Sequence, residues 1–175
     1  MNGNLEVART RAHLDCEAAR AWDKVCFYEH IELQPTWLLR TVLPVPQRTT
    51  GAYRQAGDVS SCRYSDGGHL TKRIRAIGNM RVEFEVIEQT IRYAGRIDLK
   101  GGSIEVTPDG QGGCAVEMVT YYDLRSAWLR PIRRAIDYVI GRMHRIVLAD
   151  MQFRLAARQA GQAGDALVEA GSVVH

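Results

Sequence analysis

Short segments in which apolar and polar residues alternate fill the middle of the chain and predict a β-sheet. In one segment Val82, Phe84 and Val86 alternate with charged residues, which is typical of a strand with one face in a core and the other in water. The same alternation places Met118 and Tyr122 on one face of a later strand. The strands predicted in this way span residues 58–65, 69–77, 80–90, 103–107 and 114–124.

Glycine-rich turns separate the predicted strands. The turns at Gly67, Gly78-Asn79 and Gly110 offer the positive-φ positions that tight hairpin connections require. Because a hairpin joins neighbouring strands that run in opposite directions, the sheet is predicted to be antiparallel.

The N-terminal segment predicts a strand followed by helical structure. Residues from Leu5 to His13 alternate with a period of two, which favours an opening strand with one partly solvated face. Asp15 can then cap a helix whose apolar stripe includes Ala18 and Trp22. Residues 34–47 contain three prolines, so a long helix cannot persist there.

A long amphipathic helix is predicted after the last strand and is expected to end at about Arg158. Ser126 can cap this helix, and Pro131 falls in or just before its first full turn, where a missing amide hydrogen costs little. Arginines cluster off the apolar side. The Ala/Gly-rich segment 158–175 is predicted to be a disordered tail, which leaves residues 1–157 as the folded domain. The apolar stripe recurs at steps of three and four residues and consists of Ile132, Ile136, Val139, Ile140, Met143, Val147 and Met151.

Chain length and composition limit the number of domains, and the N-terminal residues predict a cellular location. A chain of 175 residues with 46% hydrophobic residues can build one sizeable core but is short for two ordinary domains. The N-terminal residues lack the basic and apolar regions of a secretory signal, so we expect a cytoplasmic location. No apolar run approaches the roughly 20 residues that cross a bilayer, so membrane contact is expected to be peripheral at most.

Several kinds of chemistry have no basis in the sequence. The histidines form no H-E-x-x-H motif and the cysteines form no C-x-x-C pair, so no metal site is predicted. No phosphate-binding glycine loop or G-x-S-x-G elbow occurs, so neither a cofactor nor a nucleophile is assigned. The arginines of the final helix are interspersed with aspartates and lack stacking aromatics, so nucleic acid is not an expected partner.

The order of the predicted elements resembles that of the START-like or SRPBCC superfamily, which includes polyketide cyclases and birch-pollen-allergen proteins. The resemblance covers residues 5–155 and implies an α+β helix-grip fold. In that fold a curved antiparallel sheet wraps around a long C-terminal helix, and two short helices follow the first strand. The segments that carry it are AARAW at 18–22, GDVSSCRY at 57–64, FEVIE at 84–88, GGS at 101–103 and YYDL at 121–124.

The resemblance also implies a cavity between sheet and terminal helix that holds an apolar small molecule. We therefore expect binding or carriage of a lipid, polyketide or aromatic compound, with no catalytic residue assigned. Arg73 and Arg96 are candidate polar anchors, for which exposure to solvent is the alternative. The predicted ligand-binding residues, for each of which packing in the core is the alternative, are Trp37, Tyr64, Ile74, Phe84, Met118, Tyr122, Val139 and Met143.

Two other functions stay open at this point. The first is an aromatase or cyclase-like enzyme that acts on a polyketide in the same cavity, with Tyr or Arg groups polarising carbonyls. The second is a protein-interaction module that uses the arginine-rich helix face, similar to co-chaperone activators. An apolar cavity would favour carriage, several ionisable groups converging at its depth would favour an enzyme, and a filled cavity would favour interaction. The oligomeric state is left open.

Overall fold

A computed structural model describes residues 5–26, 44 and 46–171 of the chain. Within these residues the secondary structure consists of strands followed by a long C-terminal helix. The helices are α1 (Ala18–Cys26), a 3-10 helix (Ala127–Ile132) and α2 (Arg133–Gly171). The strands are β1 (Leu5–Leu14), β2 (Pro46–Gly51), β3 (Val59–Tyr64), β4 (His69–Gly78), β5 (Arg81–Gln89), β6 (Ile97–Pro108) and β7 (Cys114–Leu124).

The described strands form a single antiparallel sheet in the order β1-β7-β6-β5-β4-β3-β2. Consecutive strands from β2 to β7 are neighbours, while β1 pairs with β7 at the far side of the sheet. Helix α2 packs against β1 and β7. The predicted α+β architecture, a curved sheet around a long C-terminal helix, is confirmed. The predicted second short helix lies outside the described residues.

The strand predictions agree with the structure over most of the sheet. β7 has the predicted bounds, and β4 and β5 differ from prediction by one residue at their ends. β6 was predicted too short, because it begins at Ile97 and runs through Gly101 and Gly102. β2 was not predicted. Its Pro46 is the first residue of an edge strand, a position where proline is tolerated because its missing amide hydrogen is not needed.

The turn between β4 and β5 lies one residue later than predicted. Asn79 and Met80 both have positive φ, at 50° and 57°, and Gly78 pairs with Arg81 across the ladder. Two left-handed residues in a two-residue loop are typical of a type I′ turn, whose twist matches that of the strands. The predicted positive φ is confirmed at Gly67 and Gly110.

The C-terminal helix corrects the predictions for its N-terminal cap and for its end. The Ser126 side chain makes no capping hydrogen bond, which corrects the predicted cap, whereas Pro131 lies in the 3-10 helix just before the first full turn of α2, within the predicted position. The segment 158–171, predicted to be disordered, continues α2 as far as Gly171. Alanine is the strongest helix former, so an alanine-rich segment can extend a helix that is already nucleated, despite its glycines. The predicted boundary after residue 157 therefore does not coincide with a helix end.

Apolar side chains from the sheet, α1 and α2 form the main core at one end of the sheet. Three cysteines belong to the buried part of the protein as free thiols: Cys16, Cys62 and Cys114. Among the described helices, none has the length and apolar character needed to cross a membrane. The core comprises Leu14, Cys16, Ala18, Ala21, Ile74, Val82, Val106, Cys114, Val116, Leu148, Met151 and Leu155. We call this region the packed end.

Candidate functional site

A cavity of about 840 Å³ lies between the concave face of the sheet and α2. We call the region around it the open end. The volume is in the range of about 300–1,000 Å³ that small-molecule sites occupy. On the helix side, all seven residues of the predicted apolar stripe, from Ile132 to Met151, line the cavity. This wall is therefore almost entirely apolar.

The opposite wall comes from alternate residues of the strands. Leu70, Lys72 and Phe84 line it from the central strands, and Met118 and Thr120 line it from β7. Phe84 pairs with Gly102 in the ladder, and its ring lies so close that a Cβ built at Gly102 would be 2.9 Å from it. A side chain at this glycine would collide first with the Val119 carbonyl of the neighbouring strand and then with the Phe84 ring.

The structure places five of the predicted ligand-binding residues on the cavity wall. Tyr64, Phe84 and Met118 contribute from the sheet, and Val139 and Met143 contribute from α2. Trp37 lies outside the described residues. Whether any of the five contacts a ligand stays a prediction.

Ile74 and Tyr122 are not among the described residues that line the cavity, which corrects their predicted placement. Ile74 is 1% exposed and belongs to the packed end. Tyr122 is fully buried beside Ala8 and Ile136, and its hydroxyl donates a hydrogen bond to the Asp137 carboxylate at 2.6 Å. Both side chains face the helix as predicted, but neighbours fill the space in front of them.

The two predicted arginine anchors have different positions. Arg73 is exposed on the outer face of β4, where its guanidinium lies 3.3 Å from the Glu85 carboxylate. Because successive strand residues point to opposite faces, Lys72 rather than Arg73 faces the cavity. The sequence already indicates this orientation, because Lys72 is two residues from the inward-facing Ile74 and therefore lies on the same face of the strand. Arg96 does line the cavity, with its guanidinium 5.6 Å from the centre of the Trp128 ring.

Lys72 is the charged group on the central part of the sheet wall. Its ammonium lies 5.1 Å from the centre of the Phe84 ring, within the range of a cation–π interaction. The Ser60 side chain, directly opposite Lys72 in the β3–β4 ladder, also lines the cavity. Neither residue was singled out from the sequence.

His144 is a polar residue in the otherwise apolar helix wall. It is 6% exposed, and its two ring nitrogens contact threonine hydroxyls, Nε2 with Thr120 at 2.9 Å and Nδ1 with Thr10 at 3.1 Å. Burial lowers the pKa of His144 to about 4, so the ring is neutral near neutral pH. A neutral imidazole has one donor and one acceptor, so one threonine donates to it and the other accepts from it.

Tyr64 contributes a phenol group to the cavity. Its hydroxyl has no hydrogen-bond partner among the described residues, and burial raises its pKa, so the group is protonated near neutral pH. In the described part of the chain, no group of three His, Cys, Asp or Glu side chains is placed to hold a metal ion.

Solved structures with the same architecture come from several organisms. The Zhui aromatase/cyclase from Streptomyces sp. R1128 matches with a TM-score of 0.64 at 9% identity, over 89% of this chain and 96% of that chain. The chain has the helix-grip fold of START-like proteins. Comparison of the sequence with family models and with curated proteins gives no match.

Two plant proteins share the helix-grip fold at similar distance. Norcoclaurine synthase from Thalictrum flavum, in complex with dopamine and hydroxybenzaldehyde, has a TM-score of 0.61 at 13% identity, over 89% of this chain and 88% of that chain. The major latex-like protein 151 from Panax ginseng has a TM-score of 0.59 at 15% identity, over 87% of this chain and 98% of that chain. At these identities the similarity establishes the fold alone.

Proposed function

We propose that the protein binds or carries a hydrophobic small molecule in the cavity between the sheet and α2. The observation that carries the proposal is a cavity of about 840 Å³ whose helix wall is an apolar stripe. Burying apolar ligand surface there contributes roughly 25 cal/mol per Å² before the costs of binding are subtracted. A core that only served folding would fill this space with side chains.

Solved structures with the same fold support a small-molecule ligand. One norcoclaurine synthase structure contains two small aromatic compounds, and the Zhui protein is named an aromatase/cyclase. Aromatic or polyketide-like compounds are therefore the first ligand classes to test.

An enzyme acting in the same cavity is the second candidate. It would need a group that moves a proton near neutral pH, and His144 is the histidine on the cavity wall. With a pKa of about 4 and both ring nitrogens engaged by threonines, His144 is a weak base with no free position. His144 is therefore poorly suited to proton transfer near neutral pH.

A protein-interaction module is the third candidate. The open cavity argues against it, because a module that used only its arginine-rich surface would have no need of an internal space. The exposed Arg133 of that surface is already paired with the Glu6 carboxylate at 2.6 Å.

A neutral fluorescent probe tests the proposal directly. N-phenyl-1-naphthylamine is expected to bind the full chain, and Met143→Trp is expected to weaken binding at least about tenfold by filling the cavity. Phe153→Ala is the matched control on the same helix, because Phe153 is 58% exposed and lies outside the cavity wall. Circular dichroism confirms that each variant is folded. Failure of the wild-type protein to bind, or equal weakening by both substitutions, would contradict the proposal.

A further inference from the structure

The charged residues of the cavity wall are all of one sign. Lys72 and Arg96 line the cavity, as does Arg48 at an exposed position, whereas no Asp or Glu is found among its described lining residues. Because field lines concentrate in a low-dielectric cleft, such a wall attracts anions and repels cations.

The outer face of the same sheet shows the opposite arrangement. There the basic side chains alternate with carboxylates that neutralise them, as Arg9 does with Glu117 at 2.7 Å and Arg81 with Glu105 at 2.9 Å. Arg73, the neighbour of Lys72, pairs with Glu85 in the same way. The excess positive charge of the cavity is therefore a property of the concave face and not of the sheet as a whole.

Lys72 is the clearest unpaired cation inside the cavity. Its ammonium lies over the Phe84 ring, and no carboxylate of the described residues is within ion-pairing distance of it. The side chain is partly buried. The Phe84 ring is the only compensation that the described residues give this ammonium, so an anionic ligand group would stabilise it further.

Ser60 provides a second donor at the same place. It is directly opposite Lys72 in the ladder, lines the cavity and is only 3% exposed. Its hydroxyl has no hydrogen-bond partner in the described part of the chain. Cross-strand neighbours have Cβ atoms about 5 Å apart, so the Lys72 ammonium, which lies over Phe84 on the opposite neighbouring strand, needs only a change of side-chain rotamer to share one carboxylate with the Ser60 hydroxyl. Because the residue lines the cavity, this hydroxyl is available to a ligand.

We propose that the ligand is an amphipathic anion whose carboxylate is held by Lys72 and Ser60, with its apolar body along the stripe of α2. This inference rests on the proposed function and adds the chemical class of the ligand. The two walls of the cavity then have separate roles: the helix wall supplies buried apolar area, and the Lys72–Ser60 pair on β3 and β4 fixes the orientation.

A matched pair of probes separates the two roles. cis-Parinaric acid and its methyl ester have the same apolar chain and differ in the carboxylate, and both report binding by fluorescence. The wild-type protein is expected to bind the acid about tenfold or more tightly than the ester, the size of a hydrogen bond to a charged group. Lys72→Met is expected to abolish this preference by weakening the acid alone, and Ser60→Ala to reduce it about threefold to fivefold.

Arg73→Met is the control, because it removes a basic residue from the adjacent position on the outer face. It is expected to leave both affinities unchanged. Equal affinity of the wild-type protein for acid and ester, or equal weakening of both probes by Lys72→Met, would overturn the inference while the proposed function stands. If the wild-type protein binds neither probe nor the neutral naphthylamine, the proposed function itself fails.

Discussion

The two ends of the sheet contain the same elements but use them differently. At the packed end Val82, Val106 and Val116 meet the Leu148 side chain of α2, and these residues are at most 3% exposed. At the open end the same strands and the same helix enclose a cavity of about 840 Å³. The difference therefore does not come from the topology.

Small side chains on the concave face contribute to the difference. Ser60, Gly101 and Thr120 line the cavity beside larger residues such as Leu70, whereas Val82, Val106 and Val116 belong to the packed end. Small residues leave space between sheet and helix that the neighbours cannot fill without strain. Substitutions on the sheet can therefore change the size of the cavity while the packed end stabilises the fold.

The largest effect is expected from comparing two side-chain truncations on α2, one facing the packed end of the sheet and one facing the open end. Leu148→Ala removes a side chain that is 2% exposed at the packed end and should lower the free energy of unfolding by about 3–5 kcal/mol. Met143→Ala only enlarges an existing cavity and should cost less than about 1.5 kcal/mol. Urea denaturation followed by circular dichroism measures both. Similar losses for the two variants would show that the open end is packed in solution.

The next largest effect is expected when His144 takes up a proton. This residue of the cavity wall contacts threonines of β1 and β7. Its pKa is about 4 in the folded protein against 6.5 as the ordinary value, so the unfolded chain binds a proton more readily between these pH values. The stabilisation is fully present above pH 6.5 and is lost as the pH falls towards 4, by on the order of 3 kcal/mol.

Replacing the histidine isolates this pH dependence from that of the carboxylates. His144→Gln cannot gain a proton in this range, while its amide can still contact the two threonines. The variant's unfolding free energy should fall less than that of the wild-type protein between pH 7 and pH 4, by on the order of 3 kcal/mol. Parallel curves for the two proteins would mean that His144 is solvated enough to titrate normally.

Periodicity made most of the fold predictable, because strand and helix periods report directly which side chains face the core. The stripe from Ile132 to Met151 was correct in every member as the helix wall of the cavity. The limits of β6 were missed because Gly101 and Gly102, which indicate a turn locally, lie in the strand interior beside Phe84. That close approach is a tertiary feature and leaves no local pattern.

The division between core and cavity was less predictable than the fold. Ile74 and Phe84 are opposite each other in the ladder and have the same inward signal, but Ile74 is buried and Phe84 lines the cavity. Which of two inward residues meets empty space depends on the sizes of side chains from other elements. The inward position of Lys72, by contrast, is predictable from the sequence. Strict alternation with Ile74 places Lys72, and not Arg73, on the concave face.

The smallest effect is expected at the rim of the open end. Trp128 is 61% exposed, and the Arg96 guanidinium lies 5.6 Å from its ring. Trp128→Ala removes this exposed cation–π contact and should cost about 0.5–1 kcal/mol of unfolding free energy, whereas Trp128→Phe retains a ring and should cost less. Denaturation curves of the two variants measure the difference. A loss of several kcal/mol for Trp128→Ala would show that the 3-10 helix contributes substantially to the stability of the fold. Only the cavity wall would then be expected to accept substitutions at little cost in unfolding free energy.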